Sequence, residues 1–293
     1  MLAATHTHLA GRIDTVRLPE RADQIAWGVL GASAAATFAV WMFFFPDSIA
    51  EKFAWDVHPR MTQLFIGAGY VFRTAFFLSV AFGRDWTKLR WMFWGNLAFT
   101  GTLLLATFWH AGEFNWDPSQ TIVGHLWLIL YIFEPVTMLY MVPRGVWRLP
   151  APTEGGPIWL PFRWFMIAAT GLLLSDGLLL VINPEFAALR WPWELNPLDA
   201  RIMAAWFLGW AVWLGTMAFA RDWLEIRLPA ALFILNGAAL TAVNFLNGDL
   251  LSGTGPAHAY RTGLLLLTLL MAGFAGYQEV RRVRIAPARA AQG

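Results

Sequence analysis

The sequence predicts an all-α membrane protein: eight transmembrane helices, built as a tandem (parallel) duplication of a four-helix unit. Three observations carry this expectation. Of 293 residues, 58% are hydrophobic and only 14% charged, whereas a soluble domain is about 45–50% apolar and about 25% charged. Eight apolar stretches approach the ~20 residues that a helix needs to cross a ~30 Å hydrocarbon core. Finally, residues recur at a nearly constant offset between the two halves of the chain.

The composition excludes a single water-soluble globule, a disordered chain, a collagen and a small disulfide scaffold. Cysteine is absent, which removes disulfides, iron–sulfur clusters, thiolate zinc and covalent c-type haem attachment through this chain. Nineteen Arg stand against two Lys, Lys52 and Lys88. With abundant Ala, Trp and Pro, that is the composition of a GC-rich bacterial genome, so the expected site is a bacterial inner membrane.

Residues 1–24 are polar, mixed in charge and without a signal-peptide core, and are expected to form a cytoplasmic segment. The apolar spans follow at about 25–45, 61–82, 89–109, 122–142, 164–182, 202–220, 228–246 and 258–277. Continuous apolar runs point to helices, because lipid satisfies no backbone group, and a membrane barrel would alternate. The first repeat is expected over 25–150, the second over 151–280, and a basic cytoplasmic tail over 281–293. That tail includes QEVRRVR, which reads as a lipid-facing anchor; nucleic-acid binding has no other support. On this scheme one face carries 15 of the 21 basic residues, including both termini. The positive-inside rule therefore expects both termini in the cytoplasm.

The repeat rests on two motifs. Pro46, Trp55 and Pro59 recur as Pro184, Trp193 and Pro197 at an offset of 138. Arg84-Asp85-Trp86 recurs as Arg221-Asp222-Trp223, and Arg90 as Arg227, at an offset of 137. Pro46 and Pro184 are expected to end the first helix of each unit. Short amphipathic stretches follow, placed in the interface on their aromatic side, and Pro59 and Pro197 occupy the first turn of the next helix. In each R-D-W turn, Arg and Asp are expected to pair across a tight loop while Trp anchors at headgroup level. Four helices per unit is an even number, so the units enter with the same orientation, about an axis along the membrane normal.

Polar residues present in only one unit are the candidate functional groups. Arg73, Glu134 and Asp176 fall deep in spans, and the repeat sets Ala211, Met271 and Phe38 opposite them. A charge at a helix centre costs roughly 2.5–3.5 kcal/mol on insertion scales, so such groups pair inside the bundle. Arg73 is expected to neutralise Glu134, Asp176 or both, as a structural ion pair, an ion or proton pathway, or a site for a polar-headed ligand. Asn96, Asn236 and Asn244 are expected as interhelical hydrogen-bonding residues. His58, His110, His125 and His258 fall at the outer ends of spans. His110 and His125, with Glu113 and Asp117, suit a divalent metal, and His110 or His125 suits an axial position on haem or a chlorin. Four interfacial histidines of no special role are the simplest alternative.

No Walker loop, zincin motif, nucleophile elbow or Rossmann glycine pattern occurs. The expected role is a non-catalytic accessory or scaffold subunit of a membrane complex, in contact with lipid and other membrane subunits. The alternatives are a small proton- or ion-coupled transporter using the midplane charges, and a haem- or chlorin-binding electron-transfer or photosynthetic subunit.

Overall fold

The computed structural model describes residues 19–141, 149–252 and 255–290, with the side chains of Met141 and of 285–290 left aside. His6, His8, Arg144 and Arg148 lie outside the described residues. Among the described residues the structure is helical, with short turns and two isolated bridges, Trp55–Phe114 and Pro157–Asp222.

Eight long helices follow in order: α1 Arg21–Phe44, α2 Arg60–Phe82, α3 Phe93–Trp109, α4 Val123–Met141, α5 Leu160–Ile182, α6 Pro197–Met217, α7 Trp223–Leu246 and α8 Gly255–Ala290. Six of these, all but α3 and α6, are long and apolar enough to cross a membrane. Of the eight expected spans, six meet that measure. The reason is local: α3 has 17 residues, and α6 opens with Asp199 and Arg201 and carries three Trp. Helix α6 meets protein instead of lipid over most of its length, so its sequence need not be uniformly apolar. The basic stretch from 281 continues α8 as one helix as far as Ala290.

Helix α1 packs on α2 and α5 on α6, α3 packs on α4 and α7 on α8, and across the middle α3 meets α6 while α7 meets α2. The core therefore lies along α2 and α6, and α4, α5 and α8 keep most of their apolar side chains outward. Small residues set the close approaches, as expected where lipid offers no hydrophobic drive between helices. Helix α1 buries Gly28, Ala32, Ala35 and Ala39 along one stripe. At the crossing of α3 and α6, a Cβ on Gly95 would lie 2.6 Å from the carbonyl oxygen of Gly209. Gly95→Ala must push the two backbones apart. Overpacking of this kind costs about 1–3 kcal/mol, so a fall in the thermal unfolding midpoint of the detergent-solubilised chain is expected; an unchanged midpoint would show that the crossing is looser than described.

Local motifs explain the helix ends. Pro46 and Pro184 each open a short helix, Pro46–Lys52 and Pro184–Ala188, directly after α1 and α5. Pro197 is the first residue of α6, whereas Pro59 is the N-cap of α2 and not a first-turn residue. Asp85 caps the short helix Trp86–Leu89 by accepting from the Thr87 amide at 3.0 Å. Asp222 caps α7 by accepting from the Leu224 amide at 2.8 Å, within a capping box completed by Glu225. The R-D-W turn is thus a helix N-terminus signal, and the expected Arg–Asp pair is corrected. Arg84 and Arg221 are exposed, Asp85 pairs with Lys88 at 3.0 Å, and Trp86 and Trp223 are buried in the core. Burial pushes the Asp222 carboxyl above the usual carboxylate range.

Hydrogen bonds tie the loops together at both ends of the bundle. At one end the Asn115 amide donates to the Ala54 carbonyl at 2.7 Å and the Ser252 amide to the Pro192 carbonyl at 2.8 Å. At the other, Gln24 donates to the carbonyls of Val80 and Gly83 at the end of α2, and Arg163 to those of Ala218 and Ala220 at the end of α6.

Candidate functional site

The deep charges fall into two chambers. The first, about 350 Å³, lies between α1, α2 and α4. Arg73 and Glu134 form part of its wall, with Tyr70, Tyr131 and Phe38. Arg73 is buried and bound on two sides: it donates to Glu134 Oε1 and, at 2.5 Å, to Asn96 Oδ1. Asn96 in turn donates to Glu134 Oε1 at 2.8 Å and to the Met138 sulfur at 3.2 Å. The guanidinium also lies over the Phe99 ring at 4.5 Å and Phe77 at 5.1 Å, a favourable placement of a desolvated cation. Beside it the Tyr70 and Tyr131 hydroxyls share a 2.7 Å hydrogen bond. Positive and negative charge therefore cancel within a few ångströms, and Asn96, expected only as packing glue, bridges both partners.

Asp176 is not part of this cluster, which corrects the expected three-residue group. It lies on α5 in a second chamber of about 580 Å³, bounded by α5, α6, α7 and α8. Arg73 instead faces α3 and α4, where its partners sit. The two chambers occupy comparable places: Phe38, set opposite Asp176 by the repeat, lines the first chamber as Asp176 lines the second.

The histidines do not converge. His110 ends α3 and uses both ring nitrogens, Nδ1 with Glu113 at 2.6 Å and Nε2 with Arg201 at 2.7 Å. Arginine has only donors, so Nε2 accepts and Nδ1 carries the proton toward Glu113. Arg201 also lies over the Trp109 ring at 4.3 Å. Neither ring nitrogen is left for a metal or a macrocycle. His58 pairs with Asp56 at 2.5 Å. The His125 ring stands edge-on to Trp116 at 5.7 Å, and His58, His125 and His258 are exposed. Among the described residues no three His, Asp or Glu side chains are grouped as a metal site, so the expected set of His110, His125, Glu113 and Asp117 is not assembled.

Two buried carboxylates outside the sequence-based candidates, Asp199 and Glu225, tie the halves together. Asp199 is fully buried in the first turn of α6. It accepts from Trp55 Nε1 at 2.8 Å and from Asn196 Nδ2 at 2.8 Å. Trp193 Nε1 makes the reverse crossing, donating to Thr62 Oγ1 at 3.0 Å. Trp55 and Trp193 are thus buried ties between the halves and not interfacial rings. At the other end Glu225 accepts from Arg90, from Trp91 Nε1 at 3.0 Å, and from the amides of Arg221 and Asp222 at 2.9 and 3.0 Å. The recurrence of Arg90 as Arg227 marked the position, but nothing in the spacing pointed to Glu225 as its partner.

Comparison with protein-family models, with curated proteins and with solved structures finds no match.

Proposed function

We propose that this chain, with six helices long and apolar enough to cross a bilayer, is a multi-pass, non-catalytic accessory or scaffold subunit, working by packing against lipid and other membrane subunits. In this reading it comprises two related four-helix units in an inner membrane, with eight helices crossing and both termini cytoplasmic. The observation that carries the reading is that the costly polar groups are spent on internal ties. Glu134 and Asn96 hold Arg73, Glu113 and Arg201 hold His110, and Arg90 holds Glu225. Chemistry or ion relay needs groups able to change partner. Among the described residues, the charge-balance part of a carrier reading is reduced to Asp176, and a haem or chlorin reading finds no uncommitted buried histidine.

The duplication is supported by paired contacts. Asn115 to Ala54 and Ser252 to Pro192 stand at offsets of 137 and 138. Trp55 and Trp193 each reach into the first turn of the other unit's second helix, the reciprocal contact that two-fold symmetry generates. The orientation is supported by the basic bias of one set of loops.

On α4 the exposed residues Leu126, Ile129, Phe133, Val136 and Tyr140 form an outward stripe at 3.5-residue spacing, the pattern that seats a neighbouring helix. The absence of cysteine makes the test clean. Single cysteines at Ile129 and Val136, carrying a photo-crosslinker in native membranes, are expected to yield one discrete heteromeric adduct in each case. If only lipid-labelled monomer is recovered, the subunit reading fails.

A further inference from the structure

We propose that the second chamber binds an organic cation, an onium group on an apolar body, with Asp176 as its counter-ion. This goes beyond the subunit reading and does not depend on it. The first chamber contains a carboxylate and supplies its own cation, Arg73. The second contains a carboxylate, and among the described residues Asp176 makes no ion pair or hydrogen bond. An ionised carboxylate half-buried in a mostly apolar chamber is expensive, and a cation delivered by a ligand removes that cost.

The rest of the chamber suits such a guest. Its volume, about 580 Å³, is that of a small-molecule site. Phe207, Trp210, Phe233 and Tyr260 contribute aromatic surface, which attracts onium groups. Three polar atoms in its wall, Trp191 Nε1, Trp210 Nε1 and Asn236 Oδ1, are buried without a hydrogen-bond partner. Buried polar atoms seldom stay unpaired, and all three belong to residues that line the chamber. The other charged lining residue is Arg190, whose guanidinium lies over the Phe186 ring at 4.3 Å. Gly263 lines the chamber with open space in front of it: a Cβ there would meet nothing within 4 Å.

The test uses the full chain in nanodiscs with phenyltrimethylammonium, whose charge is fixed at every pH. Equilibrium dialysis of the labelled probe is expected to show saturable binding at one site per chain, with the neutral isostere tert-butylbenzene competing at least tenfold more weakly. Asp176→Asn is expected to weaken binding at least tenfold, and Asp176→Glu to restore most of it. Gly263→Phe fills the chamber while keeping the carboxylate, and is also expected to abolish binding. Gly101→Phe, equally unobstructed but outside the chamber, is expected to bind as the unaltered chain does. Absence of saturable binding, equal competition by the isostere, or undiminished binding in folded Asp176→Asn overturns the proposal. If Asp176→Asn does not fold, Gly263→Phe decides: undiminished binding there overturns it equally.

Discussion

Arg73→Ala is expected to be among the most damaging single changes in this protein, costing about 3–5 kcal/mol, the range for removing one partner of a buried ion pair. The magnitude follows from what remains. Glu134 would keep only the Asn96 amide as a donor, leaving a carboxylate in an apolar wall. The side-chain stem and its contacts with Phe77 and Phe99 would also go. The measurement is the unfolding midpoint of the detergent-solubilised chain. Arg73→Met combined with Glu134→Gln should recover most of the loss, because an uncharged pair of similar volume leaves no orphaned charge. If the double variant is as unstable as the single one, packing and not charge balance is the role of Arg73.

Glu225→Ala is expected to cost a similar amount, about 3–5 kcal/mol, through three losses at once. It removes the carboxylate partner of the buried Arg90, which keeps its bond to the Leu149 carbonyl, removes the carboxylate that accepts from the Trp91 indole N–H, and opens the capping box at the start of α7, for which about 1 kcal/mol is usual. Glu225→Gln should fall between the two: one amide oxygen can still accept, but it carries no charge for Arg90. Because Arg90 and Glu225 lie in different halves, separated by 135 positions, the loss should also show as faster proteolysis of the connections near 83–92 and 218–222. Equal protease sensitivity in Glu225→Ala and the unaltered chain would contradict this account.

The sequence made the helices legible because lipid imposes a length and a hydropathy on them. It made the short helices after α1 and α5 legible because proline can stand at a helix start but not within one. Asp85 and Asp222 were found, yet their role was misread. Capping is a backbone event two residues away, whereas the eye pairs the adjacent opposite charge. Trp55 and Trp193 are visible in the sequence as a repeated pair; only the fold brings Asp199 and Thr62 to their indole nitrogens. Asp176 stands out in the sequence as a charge inside a span, but helix depth gives height and not azimuth. Depth sets it within an arginine side chain's reach of Arg73, and the angular position of α5 places it in another chamber. Helix α3 falls outside the measure by its length of 17 residues, and α6 because packing against protein relaxes the demand that lipid makes on hydropathy.

The bond between Arg73 and Glu134 has a consequence for how the chain is made. The two residues are 61 positions apart, and at about 5–20 residues per second the arginine leaves the ribosome roughly 3–12 s before its carboxylate exists. During that delay α2 carries an uncompensated guanidinium that hydrocarbon rejects. A lone guanidinium at a helix centre costs roughly 2.5–3.5 kcal/mol on insertion scales, so entry of α2 into a bilayer together with α4 is favoured over its entry alone.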